Sequence, residues 1–326
     1  MDFPISHIEQ ESGPVIRLSM SPTAKSWQAW MLALCLGLCL GIPACGGSGS
    51  AAAPATAPDP ATPAAKSAKR GIAYDLSAAP DLQALSPGVS WWYNWSAAPN
   101  AAVPQDTRAR YGMDFQPMLW NDTFDAAQVE AYLASHTEIR YLLLLNEPNL
   151  TDQSNRTPQQ AAQAWPLYEA LAARTGVQLV GPAITWGTMP GYADPVDWLD
   201  AFYAAYRAAN GGRDPHIDQL AFHWYDYGLG GQLDRLKKYG KPFWVTEFAN
   251  WHSQADGAQI DSLAKQMAQM AEMVAVCEER DDVVRYAWFT GRWAPDPYFT
   301  SLLGANGELT ALGRHYLSLP FKAAAP

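Results

Sequence analysis

Eight short apolar runs, which with the helical patterns around them fill about 250 residues, constrain this chain more than any other feature. They occupy 71–75, 89–94, 115–120, 140–146, 177–183, 217–224, 243–248 and 284–289. Each is nearly continuous rather than alternating, as parallel strands covered on both faces are. Helical patterns lie between most of them. Thr157-Pro158-Gln159-Gln160 combines an N-cap, a proline at the first helical position and a capping box. Asp194-Pro195 repeats the cap-then-proline signal before Trp198, Leu199, Phe202, Tyr203 and Tyr206 at helical spacing, and Gly240 closes a helix ending at Tyr239. A longer helix over 260–279 carries Leu263, Met267, Met270, Val274 and Cys277 on one face, a stripe that reads as core. This alternation predicts an α/β fold, a (β/α)8 TIM barrel forming a single catalytic domain, with chemistry at the C-terminal strand ends. A doubly wound open sheet is the rival. Against it, no glycine-rich phosphate loop follows the first strand, and Gly-x-x-x-x-Gly-Lys is absent.

Composition narrows the chemistry. With 48% hydrophobic and 17% charged residues, the chain can bury a large core and is not disordered. A net charge of −10 gives no basic footprint, so nucleic acid is excluded as a partner. The 14 Trp, 15 Tyr and 10 Phe supply rigid flat side chains that suit stacking on sugar rings as well as filling a core. Six His lie scattered without ligand spacing, so no metal site is expected. No internal repeat is present.

The N-terminal part reads as an address. Residues 29–42 are 14 positions without a charge. That is short of the roughly 20 a spanning helix needs, so the run reads as a signal h-region, with Lys25 supplying the positive flank. It ends Ile42-Pro43-Ala44-Cys45-Gly46-Gly47, which resembles a bacterial lipobox and implies cleavage before Cys45 and lipid attachment to it. A plain secretory signal is the alternative. The expected layout is a signal peptide at 1–44, a lipidated Cys45 with an Ala/Pro-rich linker over 45–69, the (β/α)8 domain over 70–321 and a tail at 322–326. A 44-residue signal exceeds the usual range of roughly 15–30, which points to a true start at Met20. The linker would extend at about 3 Å per residue, reaching roughly 70 Å. Gly46 after the cysteine, rather than Asp, implies the outer membrane of a bacterial cell envelope. The protein is then an exported monomer touching membrane through its lipid anchor only. After cleavage Cys277 is the one other cysteine, so no disulfide forms; it reads as a small buried hydrophobe.

Two strand ends carry carboxylates. The fourth run ends Leu145-Asn146-Glu147-Pro148-Asn149, and the seventh reads Phe243-Trp244-Val245-Thr246-Glu247-Phe248. A glutamate leaving an apolar strand is costly unless it is paired or functional. On strands four and seven of a barrel, the two would converge over one mouth. Two carboxyls at short separation, one protonated and one ionised, are what glycoside hydrolysis requires.

Asn146-Glu147-Pro148 resembles the acid/base motif of the large retaining glycosidase clan built on such barrels, and Val245-Thr246-Glu247-Phe248 resembles its nucleophile strand. More narrowly, five motifs in order resemble glycoside hydrolase family 128: Lys69-Arg70-Gly71, Trp92-Tyr93-Asn94-Trp95, Pro117-Met118-Leu119-Trp120, Asn146-Glu147-Pro148-Asn149 and His223-Trp224-Tyr225. That family of endo-β-1,3-glucanases includes fungal alkali-sensitive-linkage proteins. One departure from the wider clan is that no obvious Arg follows the second strand.

The resemblance implies Glu147 as general acid, then base, and Glu247 as nucleophile. Asn146 would bond the sugar 2-hydroxyl, and His223 would bond the nucleophile or orient the acid. Trp120, Trp224, Tyr225, Trp251, Trp288 and Trp293 sit at or beyond strand ends and are candidate sugar platforms. At least three are expected to touch glucan and the rest to be core. Asn94 is a candidate hydroxyl ligand. No cofactor is required. The expected partner is β-1,3-glucan or a related polysaccharide, cleaved with retention. The alternatives are another β-glycan on the same barrel, and a non-catalytic glycan-binding surface lipoprotein.

Overall fold

Nine strands and eight α-helices alternate along residues 66–322, the part of the chain that the computed structural model describes. The expected signal peptide, Cys45 and most of the linker lie outside the described residues. The strands are β1 (Arg70–Ala73), β2 (Trp91–Tyr93), β3 (Asp114–Phe115), β4 (Met118–Leu119), β5 (Tyr141–Leu144), β6 (Gln178–Ile184), β7 (Gln219–Trp224), β8 (Phe243–Phe248) and β9 (Val283–Trp288). The helices are α1 (Ala79–Leu85), α2 (Thr107–Tyr111), α3 (Ala126–Ser135), α4 (Pro158–Thr175), α5 (Pro195–Ala209), α6 (Leu229–Leu236), α7 (Leu263–Glu279) and α8 (Ala311–Ser318).

All strand pairs are parallel, in the order β3-β2-β1-β9-β8-β7-β6-β5-β4. The two end strands, β3 and β4, are chain neighbours separated only by Gln116 and Pro117. The sheet therefore curls into a TIM-like α/β fold whose edges are carried by one short stretch of chain. The single strand expected over 115–120 is divided here. Pro117 has no N–H to give the ladder, so β3 pairs with β2 on one side and β4 with β5 on the other.

Alternate residues of each strand enter two apolar layers. Leu143, Val180, Ala221, Trp244 and Ala287 pack inside the curl, while Leu142, Leu144, Leu179, Phe222 and Val245 pack outward against the helices. Both faces are dry, which is why the runs read as continuous. The cap signals hold. Thr157 and Gln160 form a capping box at α4, the Asp194 side chain accepts from Val196 N–H at α5, and Gly240 takes a left-handed conformation after a short 3-10 turn. Cys277 on α7 is fully buried.

The folded unit starts earlier than the expected boundary at Arg70. Lys66 Nζ donates to the carbonyls of Ser86, Val89 and Tyr111, and Lys69 Nζ to those of Cys277, Glu278 and Arg280. Arg70, 1% exposed, donates to Tyr286 Oη and to the carbonyls of Tyr316, Leu317, Leu319 and Pro320, with Glu278 3.9 Å away. This knot ties β1 to the chain's last helix.

Candidate active site

The two glutamates reach the C-terminal mouth by different local devices. After β5, Leu145 and Glu147 both adopt left-handed backbone conformations, with φ of 60° and 42°. Such non-glycine positions cost about 1–3 kcal/mol and persist only where surroundings enforce them. Here the enforcement is a set of backbone hydrogen bonds. Leu145 N–H donates to Leu119, Asn146 N–H to Trp120 and Glu147 N–H to Ala183, at 2.8–2.9 Å. On β8 the register against β7 slips by one residue, so that Phe222 pairs with Val245 but His223 with Glu247. A bulge of this kind re-aims a side chain. Thr246 then meets His223, and Glu247 turns to the mouth.

Glu147, His223 and Glu247 come together, with ligand atoms all within 4.8 Å of one another. His223 Nδ1 is 2.9 Å from Glu147 Oε1 and 3.5 Å from Glu247 Oε2, and its Nε2 is 2.9 Å from Thr246 Oγ1. Glu247 Oε1 accepts from Tyr93 Oη and Trp95 Nε1, each at 2.8 Å, and Oε2 accepts from Tyr225 Oη. Tyr93 ends β2 and Trp95 follows it, so two donors to Glu247 come from the strand after which no Arg stands. All three of Glu147, His223 and Glu247 are buried, at 7%, 0% and 5% exposed.

Burial sets the proton chemistry. It raises the Glu147 carboxyl above its ordinary value, and the hydrogen bond and charge of His223 oppose that rise without cancelling it. For His223 burial favours the neutral ring, but Glu247 and Glu147 together outweigh it, and the imidazole moves up. The Tyr93 and Tyr225 hydroxyls are pushed well up by burial and then by Glu247, so they stay protonated and donate. The geometry thus sets one carboxyl whose hold on its proton is strengthened by burial beside one that receives three donors. The same trio has the donor atoms to hold a metal ion; in the described arrangement both His223 ring nitrogens, Glu147 Oε1 and both Glu247 oxygens take part in hydrogen bonds.

The remaining residues divide. Asn146 is buried, its Nδ2 donates to Gln153 Oε1, and its Oδ1, itself buried, has no partner. Tyr225 stacks on Trp251 with centroids 3.9 Å apart, and Trp293, Phe289 and Tyr298 gather around Trp251. Trp120 is half-buried, with its carbonyl tied to Asn146. Trp288 is not a platform. It is fully buried against Phe248 and Tyr316 and donates to the Thr300 carbonyl. Trp224 also turns away, packing on Phe222 in the outer layer and donating to the Tyr227 carbonyl. Both sit on the strand parity that faces the helices. Asn94 is spent on its own loop and on the loop after β1, donating to the Ala98 carbonyl and to Asp75 and accepting from Ser96 N–H. Sequence reasoning passed over Tyr93, Trp95 and Thr246. Tyr93 had a signal, since it shares the inward parity of Trp91 on β2.

Paired buried carboxyls at the C-terminal strand ends of a TIM-like parallel α/β fold, beside a wall of aromatic rings, define a glycoside hydrolase. A family model described as a glycosyl hydrolase catalytic core matches residues 71–316. A family 128 (subgroup II) endo-β-1,3-glucanase from Pseudomonas viridiflava is 63% identical, with a TM-score of 0.78, covering 79% of this chain and 100% of that one. A second subgroup II enzyme, from Sorangium cellulosum, is 35% identical with a TM-score of 0.66, covering 78% and 100%. A subgroup I enzyme from Amycolatopsis mediterranei, solved in complex with laminaritriose, is 28% identical with a TM-score of 0.58, covering 77% and 98%. Alkali-sensitive linkage protein 1 of Schizosaccharomyces pombe is 27% identical over 270 residues, which are 77% of this chain but only 45% of that protein. The chain belongs to the glycosyl hydrolase catalytic core family and, within it, to glycoside hydrolase family 128.

Proposed function

We propose that this protein cleaves β-1,3-glucan within the chain by double displacement, with retention of anomeric configuration. The observation that carries the mechanism is the approach of Glu147 and Glu247 to within 4.8 Å. That is near the roughly 5–5.5 Å of retaining enzymes and short of the 6.5–9.5 Å that leaves room for water. The substrate follows from the relatives, above all the enzyme that is 63% identical. In the first step Glu147 gives its proton to the glycosidic oxygen while a Glu247 oxygen bonds to the anomeric carbon, and the carbon–oxygen bond to the leaving chain breaks. In the second, Glu147 takes a proton from water, the water oxygen attacks the same carbon, and the ester to Glu247 breaks. Glu147 ends protonated again. Asn146, whose Oδ1 has no partner in the protein, is assigned to the sugar 2-hydroxyl. His223 holds Glu147 in place, and Tyr225, Trp251 and Trp293 offer sugar platforms. Counting β3 and β4 as two halves of one strand interrupted at Pro117 gives the eight strands of a (β/α)8 barrel.

Two variants test the roles. Glu247→Ala with azide yields a glycosyl azide of inverted configuration. Glu147→Ala, given an aryl glycoside with a good leaving group, yields one of retained configuration. Proton NMR reads both, and an inverted product from the unaltered enzyme would overturn the assignment of Glu247. The N-terminal reading is tested apart from activity. We take Met20 as the start and Cys45 as the lipidated residue of an outer-membrane protein. Cys45→Ser then moves the protein from the membrane to the soluble fraction of bacterial cells, and unchanged fractionation sinks that reading.

A further inference from the structure

Trp186 lies two residues beyond β6 and is exposed to 44%, the one tryptophan among the described residues that solvent reaches so freely. Nothing in its surroundings lets it move freely. Its Nε1 donates to Gln232 Oε1 at 3.0 Å, and the Arg235 guanidinium lies 5.3 Å from the ring centroid. Arg235 is itself fixed by Gln232 and Asp194. An apolar ring that large is normally covered. Here side chains fix its orientation and leave much of its surface bare.

The loop that carries Trp186 is fastened to the loop that carries Glu147. Asn149, two residues past Glu147, donates through Nδ2 to the Thr185 carbonyl at 2.7 Å. Its own carbonyl accepts from Thr188 and Met189 N–H at 3.0 and 2.9 Å. Gly187 approaches so closely that an added Cβ would sit 2.1 Å from Asn149 O. Thr185 Oγ1 also donates to the His223 carbonyl. The loop of Trp186 is thus held at a set position against the loop of Glu147. The other aromatic group, Tyr225 with Trp251 and Trp293, adjoins Glu247 instead.

We infer that Trp186 is a binding platform for the leaving-group side of the glucan, the sugars beyond the bond being cut. This rests on the hydrolase reading above, in which the acid Glu147 faces the departing oxygen and Glu247 the sugar it attacks. A sugar that leaves past Glu147 next meets the β6 loop. A pre-oriented indole stacks on the C–H face of a pyranose at little cost in ordering, while the hydroxyls stay in water. The same platform receives an acceptor sugar in place of water, so it also governs transfer of the glycosyl group to another glucan chain.

Two substrates separate this role from a structural one. Laminarihexaose places sugars on both sides of the cut, whereas an aryl β-laminaritrioside has an aryl leaving group and no sugar there. In Trp186→Ala the ratio of kcat/KM for laminarihexaose to that for the aryl trioside falls about tenfold. The yield of transfer products from laminarihexaose falls with it, and Trp186→Phe restores most of both. A ratio equal to that of the unaltered enzyme overturns the proposal, whether both activities drop together or neither changes. If the unaltered enzyme releases no sugar from either substrate, the hydrolase reading fails first, and the proposal with it.

Discussion

At the scale of the residue, Glu147 is held between opposing effects, and that balance makes its role measurable. Burial raises its pKa; the hydrogen bond and charge of His223 lower it; the net shift is upward. An ordinary Glu has lost its proton above about pH 4.3. A general acid with a raised pKa stays protonated to higher pH, so the alkaline limb of kcat/KM on laminarin falls above that value. The limb belongs to the coupled trio rather than to one group. Removing the histidine removes an effect that favours ionised Glu147. In His223→Ala the alkaline limb therefore moves further up, read from a pH–rate profile on folded protein; a downward move would mean that His223 does not hold the Glu147 proton in check. Both glutamates could be picked out in sequence because a carboxylate at the end of an apolar strand is costly and therefore conspicuous. Their partners could not. Tyr93 lies 154 positions from Glu247 and Trp95 lies 152.

At the scale of the element, strand limits were most legible where local chemistry is sharp. β8 spans the expected 243–248, set between Pro242 and the loop from Ala249. The run over 115–120 looked as continuous, but Pro117 cannot donate and splits it. Facing was harder than extent. Trp224 and Trp288 sit near strand ends as expected, yet a shift of one residue along a strand exchanges its two faces, and both belong to the outer one. Arg70 carries a prediction at this scale. Its guanidinium is buried and joins β1 to Tyr286 on β9 and to the carbonyls around the end of α8. Arg70→Met leaves those carbonyls without their donor and the buried Glu278 without its cation 3.9 Å away, and urea unfolding should show a loss of about 3–5 kcal/mol. A loss under about 1 kcal/mol would mean that water replaces the knot.

At the scale of the whole molecule, the catalytic unit is expected to act without its N-terminal extension. Its limit is set by tertiary contacts rather than by composition. A chain beginning at Lys66 should fold and hydrolyse laminarin at the full rate in solution. One beginning at Arg70 loses the contacts of Lys66, Ser67 and Lys69 with α1, α2 and α7. Its thermal midpoint should be lower by several degrees, and equal midpoints would show those contacts to be idle. By itself the sequence determined the alternation of strand and helix, the helix caps, the two glutamates and His223, and the apolar run before Cys45. These are local or periodic signals, written within a few residues of each other. Tertiary structure alone decided which hydroxyl and indole groups meet Glu247, which aromatic faces stay open, and where the folded unit starts. Each of those depends on the one-residue slip between β7 and β8, on the left-handed turns at Leu145 and Glu147, or on side chains more than 100 positions apart. Such arrangements exist only once the sheet has curled and its faces are assigned, because no local preference distinguishes an inward tryptophan from an outward one.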